Sequence, residues 1–177
     1  MSVAIEALDA ATAAEFEAGV APLFEGAPRF LARLAARRPF GSWAALFEAA
    51  RDIAHAMPVP EQLELVDAHP RLGAPPASVS AMSHREQGYG AAAAANLASV
   101  GAELERLNDA YEARFGFRYC VFVAGRSRPE LLPDLRAAMA RERDSELRRA
   151  LDAVIDIAID RQRALASDAA AARPTHG

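Results

Sequence analysis

The sequence predicts an all-α fold, a single-domain multi-helix bundle that carries one short extended apolar segment near 117–124. Three observations point there. Hydrophobic residues make up 52% of the 177 residues, but much of that share is alanine, the strongest helix former. Residues that favour strands are sparse outside one run near position 120. Helix-capping signals recur along the chain, several followed by apolar residues at helical spacing.

Thr12 and Glu15 form a T-x-x-E capping box that opens a helix over EFEAGVAPLF. Pro28 suits the first turn of a second helix through FLARLAARR, and Arg-Pro-Phe-Gly at 38–41 breaks the chain. Ser42 caps a third helix through WAALFEAARDIAHAM. Pro60 starts a fourth over EQLELVDA, which Pro70 ends directly after His69. A Pro-, Gly- and Ser-rich loop follows over RLGAPPASVSAM, a length of about 12 residues that usually signals function or disorder. Ser83 ends that loop. One or two long helices then run through GAAAAANLASVGAELERLNDAYEARFG, with Leu104, Leu107, Tyr111 and Phe115 on one face. After the extended FRYCVFVAG run, Ser127 and Glu130 make another capping box with Pro129 near the helix start. A last helix is expected over 144–166. The helical domain thus spans 1–166, and residues 167–177, rich in small side chains, form a tail expected to be disordered.

A net charge of −4 gives no broad basic field, which argues against nucleic acid or an anionic membrane as a partner. The one cysteine, Cys120, excludes an internal disulfide and fits a reducing compartment. The first residues have neither a basic n-region nor an apolar h-region, and no apolar stretch reaches the ~18 residues of a membrane span. A cytoplasmic protein is expected.

No H-E-x-x-H, Cys-x-x-Cys, G-x-S-x-G, P-loop or G-x-G-x-x-G signature is present, so any chemistry must use scattered residues. On the last helix, Leu147, Leu151, Val154, Ala158 and Leu165 form an apolar stripe, with Arg148, Arg149, Asp152, Asp156 and Asp160 on the far side. Arg161 falls on the stripe. It must snorkel outward, pair with a buried carboxylate, or face an anionic ligand. Ser83 and Glu86 match a capping box, yet a helix N-terminus also suits an anionic or carbonyl-rich small molecule. His69 reads either as a helix-end cap or as a titrating group. No histidines share metal-ligand spacing, and Cys120 reads as an inert core residue. The backbone of Tyr119-Cys120-Val121-Phe122-Val123 needs hydrogen-bond partners that neighbouring loops, water or a ligand edge could supply.

Taken together, LFEGAPRF, RRPFGSW, VDAHPRLG, S-x-x-E-Q at 83–87, LNDAYEARFGFRYCVFVAGR and IAIDRQRAL resemble, in order and spacing, one family over about residues 6–166. It is 2-oxo-4-hydroxy-4-carboxy-5-ureidoimidazoline (OHCU) decarboxylase, a carboxy-lyase family of uric acid degradation. Arg118-Tyr119 departs from the Pro-Phe common after F-G-F in that family, and Arg71 and Gly73 stand where many members read Asp and Ala.

The resemblance implies an all-helical, cofactor-independent and metal-free enzyme that converts OHCU to S-allantoin, with urate oxidase and hydroxyisourate hydrolase as pathway neighbours. It leaves a homodimer open. It implies His69 and Glu86 as catalytic residues and Pro70, Ser83, Gln87 and Arg161 as substrate-pocket residues. The backbone of Tyr119, Cys120, Val121, Phe122 and Val123 would contact the ureido and ring groups. The competing readings are a non-enzymatic helical interaction module, in which Arg161 snorkels and Ser83-Glu86 is a plain capping box, and a ligand-sensing helical regulator.

Overall fold

A computed structural model of the chain describes residues 4–74, 80–86 and 94–171. Its elements are α1 (Ile5–Ala10), α2 (Ala13–Val20), a 3₁₀ turn (Ala21–Leu23), α3 (Pro28–Ala35), α4 (Trp43–Ala56), α5 (Val59–Asp67), α6 (Ala81–Glu86), α7 (Ala94–Phe115), α8 (Arg128–Ala138) and α9 (Arg143–Ala171). Among the described residues there is no strand, as the all-α expectation requires. The chain divides into two compact units, Met1–Leu65 with Ile155–Gly177, and Val66–Val154.

In the first unit the predicted caps set the helix starts. Thr12 Oγ1 accepts the Glu15 N–H at 3.3 Å while the Glu15 carboxylate accepts the Thr12 N–H at 2.9 Å. Ser42 Oγ accepts the Ala45 N–H at 3.1 Å at the start of α4. The short α1, which no capping signal announces, is used as an anchor: its Asp9 carboxylate accepts the N–H groups of Phe40 and Gly41 at 3.0 and 2.8 Å. The break at 38–41 is thereby tied down. Helix α2 packs on α1 and α3, and α3 on α4. Phe16, Phe24, Phe30, Leu34 and Leu46 are buried among them, each worth about 1.5–3 kcal/mol over its exposed state.

The second unit is built on aromatic packing. Tyr111 of α7 lies 4.6, 5.7 and 5.2 Å, ring to ring, from Phe115, Phe117 and Tyr119. Phe117 and Tyr119 thus turn into the core while the intervening Arg118 points elsewhere, the alternation of extended backbone. Tight packing of this kind explains why the segment after Phe115 is extended without belonging to a sheet. Helix α8 packs on α7, and the Glu130 carboxylate accepts the N–H of Ser127 at 2.7 Å, as the second capping box predicts.

Three boundaries differ from expectation. Ser83 does not begin its helix: α6 starts at Ala81, and Ser80 Oγ accepts the Ser83 N–H at 3.2 Å, so Ser80 is the cap and Ser83 lies within the first turn. Only Ser83 has Glu three residues on, yet Ser83 is buried, 2% exposed, and the exposed Ser80 takes the cap. Helix α9 starts one residue earlier than expected and continues through Ala171, so 167–171, assigned above to a disordered tail, are helical. Alanines at 169–171 sustain helix without tertiary support. Residues 172–177 lie outside the described residues, as do Gln87 and the middle of the predicted 71–82 loop.

Candidate active site

His69 sits two residues beyond the last residue of α5, where its N–H still donates to the Val66 carbonyl at 3.2 Å. It is 4% exposed, so the helix-end position predicted from Pro70 holds, but as a buried group and not as a solvated cap. Leu72 is drawn in below it, its carbonyl accepting from the buried Asn108 Nδ2 at 3.0 Å. Arg71 reaches the other way, with Nε and NH2 donating to the Glu112 carboxylate at 2.6 and 2.7 Å and NH2 also donating to Asp109 at 2.8 Å. Those bonds raise the Arg71 pKa beyond its already high value. The turn carrying His69 and Pro70 is therefore held against α7.

Arg118 joins this turn to the extended strip. Its N–H donates to Asp67 Oδ1 at 2.8 Å, and its guanidinium NH1 donates to the carbonyls of Asp67 and His69 at 2.7 and 3.2 Å. Two further arginines take the strip's carbonyls. Arg149 NH2 donates to Cys120 O at 3.0 Å, and Arg126 donates to Phe122 O at 2.8 Å and Val123 O at 3.1 Å. Side chains thus satisfy the carbonyls of Cys120, Phe122 and Val123. On the donor side, among the described residues, the N–H groups of Tyr119, Val121, Phe122 and Val123 make no hydrogen bond. Cys120 is buried.

Sequence reasoning missed Glu146 and misplaced Arg149. Glu146 is fully buried and its carboxylate accepts from Tyr111 Oη at 2.7 Å, Arg149 NH2 at 2.6 Å and Arg141 NH1 at 2.8 Å. Burial alone would raise its pKa, but the hydrogen bonds from Arg149 and Arg141 hold it below the ordinary value. Arg149, assigned to the solvated far side of the last helix, lies over the Tyr119 ring at 5.1 Å. Burial pushes the Tyr119 phenol up to about 12, so it stays neutral at physiological pH. An acid in the first turn of a helix reads as a dipole partner in sequence. The one available signal was Tyr111, a buried hydroxyl that needed an acceptor.

Arg161 belongs to the first unit, and at 2% exposure it does not snorkel. NH2 donates to the Glu25 carboxylate at 2.8 Å, and NH1 donates to the carbonyls of Pro22 at 3.1 Å and Leu23 at 3.4 Å. Of the readings open in the sequence, pairing with a carboxylate is thus realised. Glu25 itself has φ of 53°, a left-handed conformation at the tight turn that Gly26 continues.

His69, Pro70, Ser83 and the strip 119–123 belong to the second unit. Ser83 is buried there, and Pro70 is half-buried beside His69. Glu86 ends α6, and its side chain, like all of Gln87, lies outside the described residues. Among the described residues no group of His, Cys, Asp and Glu is arranged to hold a metal ion, and no helix is long and apolar enough to cross a membrane.

The chain is 33% identical over 136 residues to the uric acid degradation bifunctional protein PucL of Bacillus subtilis (strain 168), a match covering 77% of this chain and 27% of that protein. It is 26% identical over 161 residues to the uric acid degradation bifunctional protein of Bacillus sp. (strain TB-90), covering 89% and 31%. It therefore spans less than a third of the length of either relative. A crystal structure of OHCU decarboxylase in the presence of (S)-allantoin superposes with a TM-score of 0.65 at 25% identity, covering 80% of this chain and 93% of that one. A crystal structure of (S)-allantoin synthase shares the fold, with a TM-score of 0.64 at 20% identity over 92% of this chain and 54% of that one. Residues 9–163 match the OHCU decarboxylase family, and with nearly the whole domain accounted for, the chain belongs to that family.

Proposed function

We propose that the chain decarboxylates OHCU to S-allantoin in uric acid degradation. Family membership supplies the substrate class, and one structural observation carries the reading. The buried His69 is bonded through its backbone to Arg118, the residue that begins a strip of backbone amides with hydrogen-bonding capacity to spare. Such amides suit a substrate rich in carbonyl and ureido oxygens.

The bond between the ring carbon and its carboxylate breaks, CO₂ leaves, and the electron pair enters the adjacent conjugated ring of the substrate. That ring is the electron sink, so the reaction calls for neither a metal nor an organic cofactor. His69 and Glu86 are the proposed acid–base pair, handling the ring hydroxyl and delivering a proton to one face. Ser83 and Gln87 are proposed to fix the ureido arm, Pro70 to line the pocket, and the backbone of 119–123 to contact the ring and ureido groups. Arg161, whose planar fork suits a carboxylate or carbonyl, is proposed to bind substrate in addition to its bonds within the 22–25 turn. A single, buried cysteine, Cys120, fits a cytoplasmic site of action. Urate oxidase and hydroxyisourate hydrolase as the enzymes supplying OHCU, and a homodimeric state, belong to the same proposal.

The test uses OHCU generated in situ from urate and protein dialysed against a strong chelator. We expect OHCU to disappear faster than in the protein-free control. Decay at the spontaneous rate, or activity that returns only with added zinc or manganese, would contradict the reading.

A further inference from the structure

We propose that Arg118 is a positioning residue for this decarboxylation, holding the backbone of His69 in register with the amide strip 119–123; the inference rests on the function proposed above. At the end of α5 the last carbonyls have no partners within the helix, and the helix dipole makes that end negative. Arg118 supplies both needs from a point 51 residues away in sequence. Its guanidinium donates to the carbonyls of Asp67 and His69, at 2.7 and 3.2 Å, and its N–H donates to the Asp67 carboxylate at 2.8 Å. Residues just past a helix end ordinarily fray, and His69 lies there. Three bonds from one residue stop that locally, because they fix both the last helical residue and the histidine itself.

The other half of the device is covalent. Arg118 directly precedes Tyr119, and the ring of Tyr119 is packed against Tyr111 at 5.2 Å. The strip cannot move away from His69 without breaking either this packing or the Arg118 bonds. Arg118 therefore makes the imidazole's anchor and the substrate-binding amides one rigid body within the second unit. Catalysis is sensitive to such alignment, since a misplacement of about 1 Å can cost roughly 10²-fold. Arg118 acts through His69 and the strip and has no proton to give, because a guanidinium stays charged.

The experiment compares the full chain with Arg118→Ala and Arg118→Lys. It follows OHCU kinetics, the melting temperature, and the NMR ring signal of His69, one of four histidines. For Arg118→Ala we expect kcat to fall about 10- to 100-fold with KM within about threefold, because alignment acts on the chemical step. The melting temperature should move by only a few degrees, and the His69 ring signal should broaden. Arg118→Lys keeps the charge and N–H donors on a single nitrogen and should recover part of kcat. If the alanine variant does not fold, a folded lysine variant with reduced kcat and a broadened His69 signal supports the proposal. A kcat within twofold of the parent in folded Arg118→Ala, or in Arg118→Lys where the alanine variant does not fold, would overturn it, as would a loss that only tracks the folded fraction with the His69 signal unchanged. If the parent chain does not accelerate OHCU decay, the proposed function fails, and the His69 signal alone then decides Arg118: broadened in Arg118→Ala supports the clamp, unchanged rejects it.

Discussion

A histidine 4% exposed and two residues past a helix end can matter as packing or as chemistry, and substitution separates the two. His69→Asn keeps a hydrogen-bonding group of smaller size, so we expect stability to fall by about 1–2 kcal/mol, the scale of a lost cap with modest repacking. Turnover should fall by roughly 10² or more, the scale of a lost general acid or base, and Glu86→Gln should behave alike. Near-parental turnover in a folded variant would return that residue to a structural role. Arg161 is a second case. Arg161→Met removes the buried ion-pair partner of Glu25 and the donor to the Pro22 and Leu23 carbonyls and should cost about 3 kcal/mol, read by chemical denaturation. Arg161→Lys retains the charge without the fork, so if the guanidinium also binds substrate, kcat/KM should fall roughly 10- to 150-fold in a folded protein. Unchanged efficiency would confine Arg161 to holding the 22–25 turn. Arg161 was visible in the sequence because a charge on an apolar stripe has few options. Glu146 was not, because its partners Tyr111 and Arg141 come from a different helix and from the loop before its own.

At the scale of elements, the extended strip shows what helical periodicity cannot reveal. The sequence shows that 117–124 is apolar and not helical, but the carbonyl donors that make this tolerable, Arg126 and Arg149, look like surface residues until the chain is folded. Caps at Thr12, Ser42 and Ser127 were legible because the signal is local. Ser83 was misread for the same reason: its S-x-x-E pattern is local, whereas the burial that hands the cap to Ser80 is not. Glu146 ties α7, α9 and the strip through Tyr111 and Arg149, so Glu146→Gln should lower stability at neutral pH by about 2–3 kcal/mol, allowing for the partial exposure of both arginines. The pH dependence has a definite sign. A carboxyl held below its ordinary value near 4.5 stabilises the fold above that pH, and the contribution is lost as pH falls through the lowered folded-state value. The stability gap between parent and Glu146→Gln should therefore be widest above about pH 5 and narrow in acid, as urea melts across pH 3–7 would show. A gap that widens in acid would contradict the described network.

For the whole molecule, the all-helical class and the family follow from patterns spread over nearly the entire chain, which is why no single signature motif was needed. The division into two compact units was not legible, because α9 runs without interruption through Val154 and Ile155, where the units meet in sequence. Once CO₂ has left, the substrate in the proposed reaction is a planar, proton-seeking ring. A positioned acid delivers the proton to one face, whereas solution chemistry delivers it to both. Circular dichroism of the allantoin formed from freshly generated OHCU reads this directly. The account predicts a single S enantiomer with the parent chain and a slower, largely racemic product with folded His69→Asn; racemic allantoin from the parent chain would contradict it.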